Sequence, residues 1–107
     1  MSTWLPDGTT EWGGRPVARR VADASPRGRI VVTGTIHQGS NRRVGGTASS
    51  YLLLDDGSGR MGLLFVGRQK VPGLTTGARC TVEGTVTMKG GRPVIWNPLY
   101  RLEPADG

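Results

Sequence analysis

The sequence predicts an all-β fold, a small closed barrel of five bent strands. Three observations carry this prediction. The 18 glycines and seven prolines are scattered as single residues and short pairs, which suits many short strands joined by turns. Residues 79–88, RCTVEGTVTM, alternate well: Cys80, Val82, Val86 and Met88 share one face, broken by Gly84, and Thr81, Glu83, Thr85 and Thr87 the other. Two turn signatures, Asp55-Asp56-Gly57-Ser58-Gly59 and Lys89-Gly90-Gly91-Arg92, each join two apolar runs as in a β-hairpin. A chain of 107 residues fits one domain and can bury a core without crosslinks.

The elements follow in order. Residues 1–14 contain Trp4, Leu5 and Trp12 without any period and predict an arm, either mobile or packed back on the domain. In residues 15–24, Pro16 suits a first helical turn and Val17 and Val21 lie four apart, so a short helix is expected there. The first strand is expected over 29–38, with Gly34 marking a bulge or bend. A Gly-rich loop, 39–48, then carries Arg42 and Arg43. The hairpin of strands two and three fills 49–67, and a Pro- and Gly-containing link with room for a helical turn fills 67–77. Strand four is 79–88 and strand five 93–102, bent at Asn97-Pro98 because proline has no N–H to donate. The division is an arm and helix over 1–28, the barrel over 29–103 and a tail over 104–107.

Five strands, with a longer link between the third and fourth, favour the Greek-key OB-fold barrel over an SH3-like barrel. Three stretches also resemble a known family. Ile30-Val31-Val32-Thr33-Gly34-Thr35-Ile36 is similar to a first OB strand with its central glycine. Asp56-Gly57-Ser58-Gly59-Arg60-Met61-Gly62-Leu63-Leu64-Phe65 resembles a DGTG turn leading into a strand that ends on an aromatic. Ile95-Trp96-Asn97-Pro98-Leu99-Tyr100 resembles the closing strand. Together they look like the OB-fold wedge domain of the RecG branched-DNA helicases, and like small stand-alone OB proteins of high-GC Gram-positive bacteria. The resemblance implies an OB barrel that binds nucleic acid. The chain has no helicase motor and no Gly-rich phosphate loop ending in Lys-Ser or Lys-Thr.

Charge points the same way. The net charge is +6, the pI is about 10.7, and 12 of the 14 basic residues are arginine. A strongly basic small domain suits a polyanion, and Arg grips phosphate with two N–H groups and stacks on bases. The same excess also serves solubility. One cysteine excludes an internal disulfide, and one Cys with one His gives no zinc-ligand set. No cofactor or metal is expected, no run is long enough to cross a membrane, and no signal peptide is seen, so the expected location is the cytoplasm. Asp55 and Asp56 are adjacent carboxylates in a turn and His37 is a lone histidine, so no catalytic set is expected.

The flanks Tyr51-Leu52-Leu53-Leu54 and Leu63-Leu64-Phe65-Val66 pose a problem, because both of their faces are apolar. With Ile30, Val32 and Ile36 inward, barrel alternation turns Leu52, Leu54, Met61, Leu63, Phe65, Val82, Val86 and Ile95 inward. Val31, Thr33, Tyr51, Leu53, Leu64, Val66, Val94 and Trp96 then face out. That outer face of strands two and three is where OB-folds take oligonucleotides. The expected interface is stacking on Tyr51 and Trp96, with Arg42, Arg43, Arg60, Arg68, Lys89 and Arg92 on phosphates. Single-stranded or branched nucleic acid is the expected partner, DNA ahead of RNA. Three alternatives place other cover on the face: the N-terminal arm, a second copy of the chain, or another protein.

Overall fold

The computed structural model describes residues 11–12 and 15–104. The expected arm over 1–14 lies outside the described residues except for β1 (Glu11–Trp12), which pairs with β2 (Arg15–Pro16). A single 3-10 turn, Val21–Asp23, follows. The sheet is built from β3 (Arg29–Val44), β4 (Thr47–Asp55), β5 (Arg60–Phe65), β6 (Arg79–Lys89), β7 (Arg92–Trp96) and β8 (Leu99–Leu102).

The strand order is β3-β4-β5-β7-β6-β8, and β3 also pairs with β6, which closes the sheet into a barrel. β7 and β8 are two halves of one bent strand against β6: Ile95 faces Val86, and Leu99 faces Glu83. Asn97 stands at the bend with φ 50°, beside Pro98. The barrel is therefore five-stranded, and β5–β7 is its parallel pair.

β3 serves two neighbours in turn. Residues 29–35 pair with β6, and from Thr35 onward the strand pairs with β4. A strand this long has to curl to stay on a small barrel. The bulge falls between Ile36 and Gln38 rather than at Gly34. Gly34 serves the crossing differently: a Cβ there would stand 2.6 Å from the Asp55 carbonyl oxygen.

The in-and-out assignment matches the packing. Ile30, Val32, Ile36, Leu52, Leu54, Met61, Leu63, Phe65, Val82, Val86 and Ile95 all join one buried cluster. Val21 from the 3-10 turn, Val71 and Leu74 from the β5–β6 link and Cys80 from β6 complete it. Tyr100 packs edge-on against Phe65, with 5.8 Å between ring centroids.

Three local expectations are corrected. The stretch 39–48 is a paired ribbon rather than a loop, with its turn at Gly45 and Gly46 (φ 56° and 82°). Two consecutive positive-φ residues make the hairpin turn whose twist matches the strands, so the glycines extend the hairpin instead of ending it. The segment 15–24 is extended before its 3-10 turn and forms no α-helix. The reason is the open edge of β3, where Ala18 donates to the Arg29 carbonyl and accepts from the Val31 N–H at 2.9–3.0 Å. Sheet pairing outweighs a weak helical propensity. The 67–77 link is a series of turns without a helix.

The Asp56 turn anchors that extended segment. The Asp56 carboxylate accepts from the N–H groups of Val21, Ser58 and Gly59 and from the Ser58 hydroxyl, at 2.7–3.2 Å. Partial burial opposes its charge, but these bonds outweigh it and hold the Asp56 pKa below the ordinary value.

Candidate nucleic-acid interface

The outer face of β4, β5 and β7 has two rows set by register. Tyr51, Leu64 and Trp96 form one, and Leu53, Gly62 and Val94 the other. Gly62 leaves a gap in the second row, and the Tyr51 ring folds across into it. An alanine Cβ at Gly62 would lie 2.3 Å from the Tyr51 hydroxyl oxygen and 2.6 Å from its Cε1 and Cζ. Tyr51 thus covers part of the apolar face. Leu53, Leu64 and Val94 are buried, while Trp96 remains 45% exposed.

Arg42 lies above this ring, its guanidinium carbon 3.9 Å from the ring centroid. Arg42 and Ser40 belong to the outer face because they oppose Ser49 and Tyr51 in the ribbon. Across from them stands the β6–β7 turn, with Gly90 and Gly91 at φ 59° and 78° and Lys89 facing Arg92. Between ribbon and turn is an open cleft of about 290 Å³, floored by Val94 and lined by Arg42, Tyr51, Lys89 and Arg92 as well as the two glycines. No carboxylate lines it. Among the described residues, Arg42, Lys89 and Arg92 are in no ion pair. Cations held without counter-charges beside an aromatic ring suit phosphate and base together.

Two further clefts, of about 440 and 460 Å³, are lined by no Tyr, Trp or Phe; the first has Lys70 as its one Lys or Arg, and the second has none. Among the described residues no group of three His, Cys, Asp or Glu could hold a metal. No helix among them is long and apolar enough to cross a membrane. Cys80 is buried, and burial with the nearby Glu103 charge pushes its thiol pKa up to about 11.

No family model matches the chain, and no curated protein does. Solved structures do. The chain is similar to one in the crystal structure of yeast Stn1 and Ten1, at 9% identity and TM-score 0.59, covering 87% of this chain and 46% of that one. It is similar to the OB domain of Ta0387 from Thermoplasma acidophilum at 16% identity and TM-score 0.58, covering 84% and 89%. A chain of the S. pombe Stn1–Ten1 complex matches at 16% identity and TM-score 0.53, covering 96% and 71%. The chain therefore spans under half of its yeast counterpart. It has the OB-fold.

The OB barrel gathers only part of the predicted set. Tyr51, Arg42, Lys89 and Arg92 meet at the cleft, and Trp96 stands on the same sheet face. Arg43 alternates to the other face of the ribbon and donates to the Gly46 carbonyl at its tip. Arg60 is at the far end of the β4–β5 hairpin, 3.1 Å from Asp55. Asp55 also accepts from the Gly57 N–H; that bond and Arg60 hold its pKa below the ordinary value. Arg68 lies on the link after β5, where its carbonyl accepts from the Ser50 hydroxyl at 2.6 Å.

Two positioning residues of this OB domain were not singled out as site residues from sequence. Gly62 supplies the seat of the Tyr51 ring. Asn97 clips the end of β5 to β7 beside Trp96: its N–H donates to the Leu64 carbonyl at 2.6 Å, and its Oδ1 accepts from the Val66 N–H at 2.9 Å. The Asn-Pro pair signalled a bend there, and the side-chain clip had no sequence signal of its own.

Proposed function

We propose that this OB domain is a non-catalytic nucleic-acid-binding module of the cytoplasm that takes single-stranded or branched DNA with little sequence preference. The observation that carries the reading is the cleft beside Tyr51, where three cations converge without a carboxylate. Bases stack on Tyr51 and Trp96, and Arg42, Lys89 and Arg92 hold the backbone. Arg43 on the ribbon and Arg68 on the link add long-range attraction. Arg60 is engaged by Asp55 and contributes least. Stacking accepts any base, so affinity depends little on sequence.

The test is fluorescence anisotropy of a labelled DNA strand of about 16 nucleotides, the upper site size of one OB barrel. Binding should weaken about 20-fold for a fourfold rise in salt if three phosphates are neutralised on a single strand. Duplex, junction and RNA competitors rank the preferred form. No binding at low salt would remove the reading.

A second reading, a protein-interaction module, is favoured by the exposure of Trp96, Leu99 and Leu102 (45–53%). It is also consistent with the occurrence of this fold in the Stn1–Ten1 complex. Salt-insensitive self-association or partner binding would select it.

A further inference from the structure

One face of the Tyr51 ring is covered: it lies under the guanidinium of Arg42, 3.9 Å from the centroid. The hydroxyl end of the ring lies so close to Gly62 that a single added Cβ would collide with it. A nucleobase entering the cleft to stack on the covered face must therefore take the place of Arg42.

We infer that Arg42 is a built-in occupant of the base seat, displaced toward phosphate when a nucleobase arrives. The inference rests on the nucleic-acid reading above. Three features support it. A guanidinium is planar, delocalised and cationic, so it covers a ring much as a base does. Arg42 is exposed and forms no ion pair among the described residues, and its contact with the ring is a solvent-exposed cation–π contact, which is weaker than base–aromatic stacking. It also lines the cleft that holds Lys89 and Arg92, so leaving the ring takes it directly to where a strand's phosphates would lie.

The exchange makes recognition conjunctive. A base alone must displace Arg42 without giving it a phosphate. A phosphate alone must draw Arg42 off the ring without replacing it. A nucleotide within a strand supplies both. Gly62 is the positioning residue of this device, because it leaves room for the Tyr51 ring to lean across the row beneath Arg42.

The experiment follows the Arg42 side-chain Nε–H signal by NMR as an oligothymidine strand of about 16 nucleotides is added, with binding tracked in parallel by anisotropy. In the free protein the ring current of Tyr51 should hold that signal upfield, and Tyr51→Ala should abolish the displacement. On saturation with the oligonucleotide the signal should move downfield to an unshielded position. Arg42→Ala should weaken binding less than tenfold, because the lost phosphate contact is partly offset by a vacated seat, and Tyr51→Ala should weaken it more. Saturable binding with the Arg42 signal still upfield would overturn the displacement and leave the function standing, since the base would then bind without taking the face that Arg42 covers. Absence of any anisotropy change would overturn both.

Discussion

Replacing Gly62 with alanine adds one methyl group against the hydroxyl end of the Tyr51 ring. The new Cβ would sit 2.3–2.6 Å from three atoms of the tyrosine. Carbon atoms in contact prefer about 3.5–4 Å, so the ring has to move by roughly 1 Å or more. The obstructing atoms are the far end of a side chain that can turn, and Gly62 is not at positive φ, so the sheet is not forced to shift. Stability should change by no more than about 1 kcal/mol. Alanine gains about 0.4–1 kcal/mol through the unfolded chain, against some lost ring packing. Binding should suffer far more. A ring turned off the sheet forfeits a stack of about 1–3 kcal/mol, which weakens affinity about 5- to 150-fold. Anisotropy titrations report the affinity, and thermal unfolding by circular dichroism confirms that the variant is folded. A folded Gly62→Ala protein with undiminished affinity would refute the role given to Tyr51.

Two further outcomes are expected. Asp56→Ala leaves the Val21 N–H without its acceptor, which should cost about 1–3 kcal/mol, or roughly 5–20 °C in Tm. Because the folded pKa of Asp56 is lowered, its contribution is present above the unfolded carboxylate value near 3.8 and is lost as pH falls through the folded pKa. The stability gap between the native chain and Asp56→Ala should therefore narrow only in strong acid; a gap constant down to the lowest pH would contradict the linkage. Arg92→Ala should lower the slope of log affinity against log salt by about 0.7, while Arg60→Ala, already paired with Asp55, should leave slope and affinity within about twofold. Equal losses from both variants would show that the cleft is not the site of contact.

Much of the barrel was legible because alternation in a strand is rigid. Once Ile30 and Val32 were set inward, the core members of four other strands followed from a period of two. Tyr51, Arg42, Lys89 and Arg92 were legible as members of one groove because the fold fixes which hairpins flank it. The ribbon at 39–48 was not legible because its composition suits a loop equally well: paired glycines in positive φ are also what a long hairpin needs at its tip. Arg60 and Asp55 face each other across a hairpin, and that pairing depends on a register that charge counting does not contain. The role of Gly62 was hidden for another reason. It depends on a tyrosine from the neighbouring strand leaning across a row, which is a property of a pair of residues in space.

The shared use of β3 bears on how the chain reaches this state. Its second half can zip to β4 as a local hairpin, and β4–β5 and β6–β7 are hairpins as well. Its first half must wait for β6, which lies beyond two of those units along the chain. Closure is therefore the late, high-contact-order event, and barrels that depend on such non-local pairing fold in milliseconds to seconds. Until then Arg29–Thr33 presents an unpaired apolar edge open to another chain. The Ala18 bridge lies on that strand on the side away from β6, so it covers the strand's second edge and leaves the edge that waits for β6 open until closure.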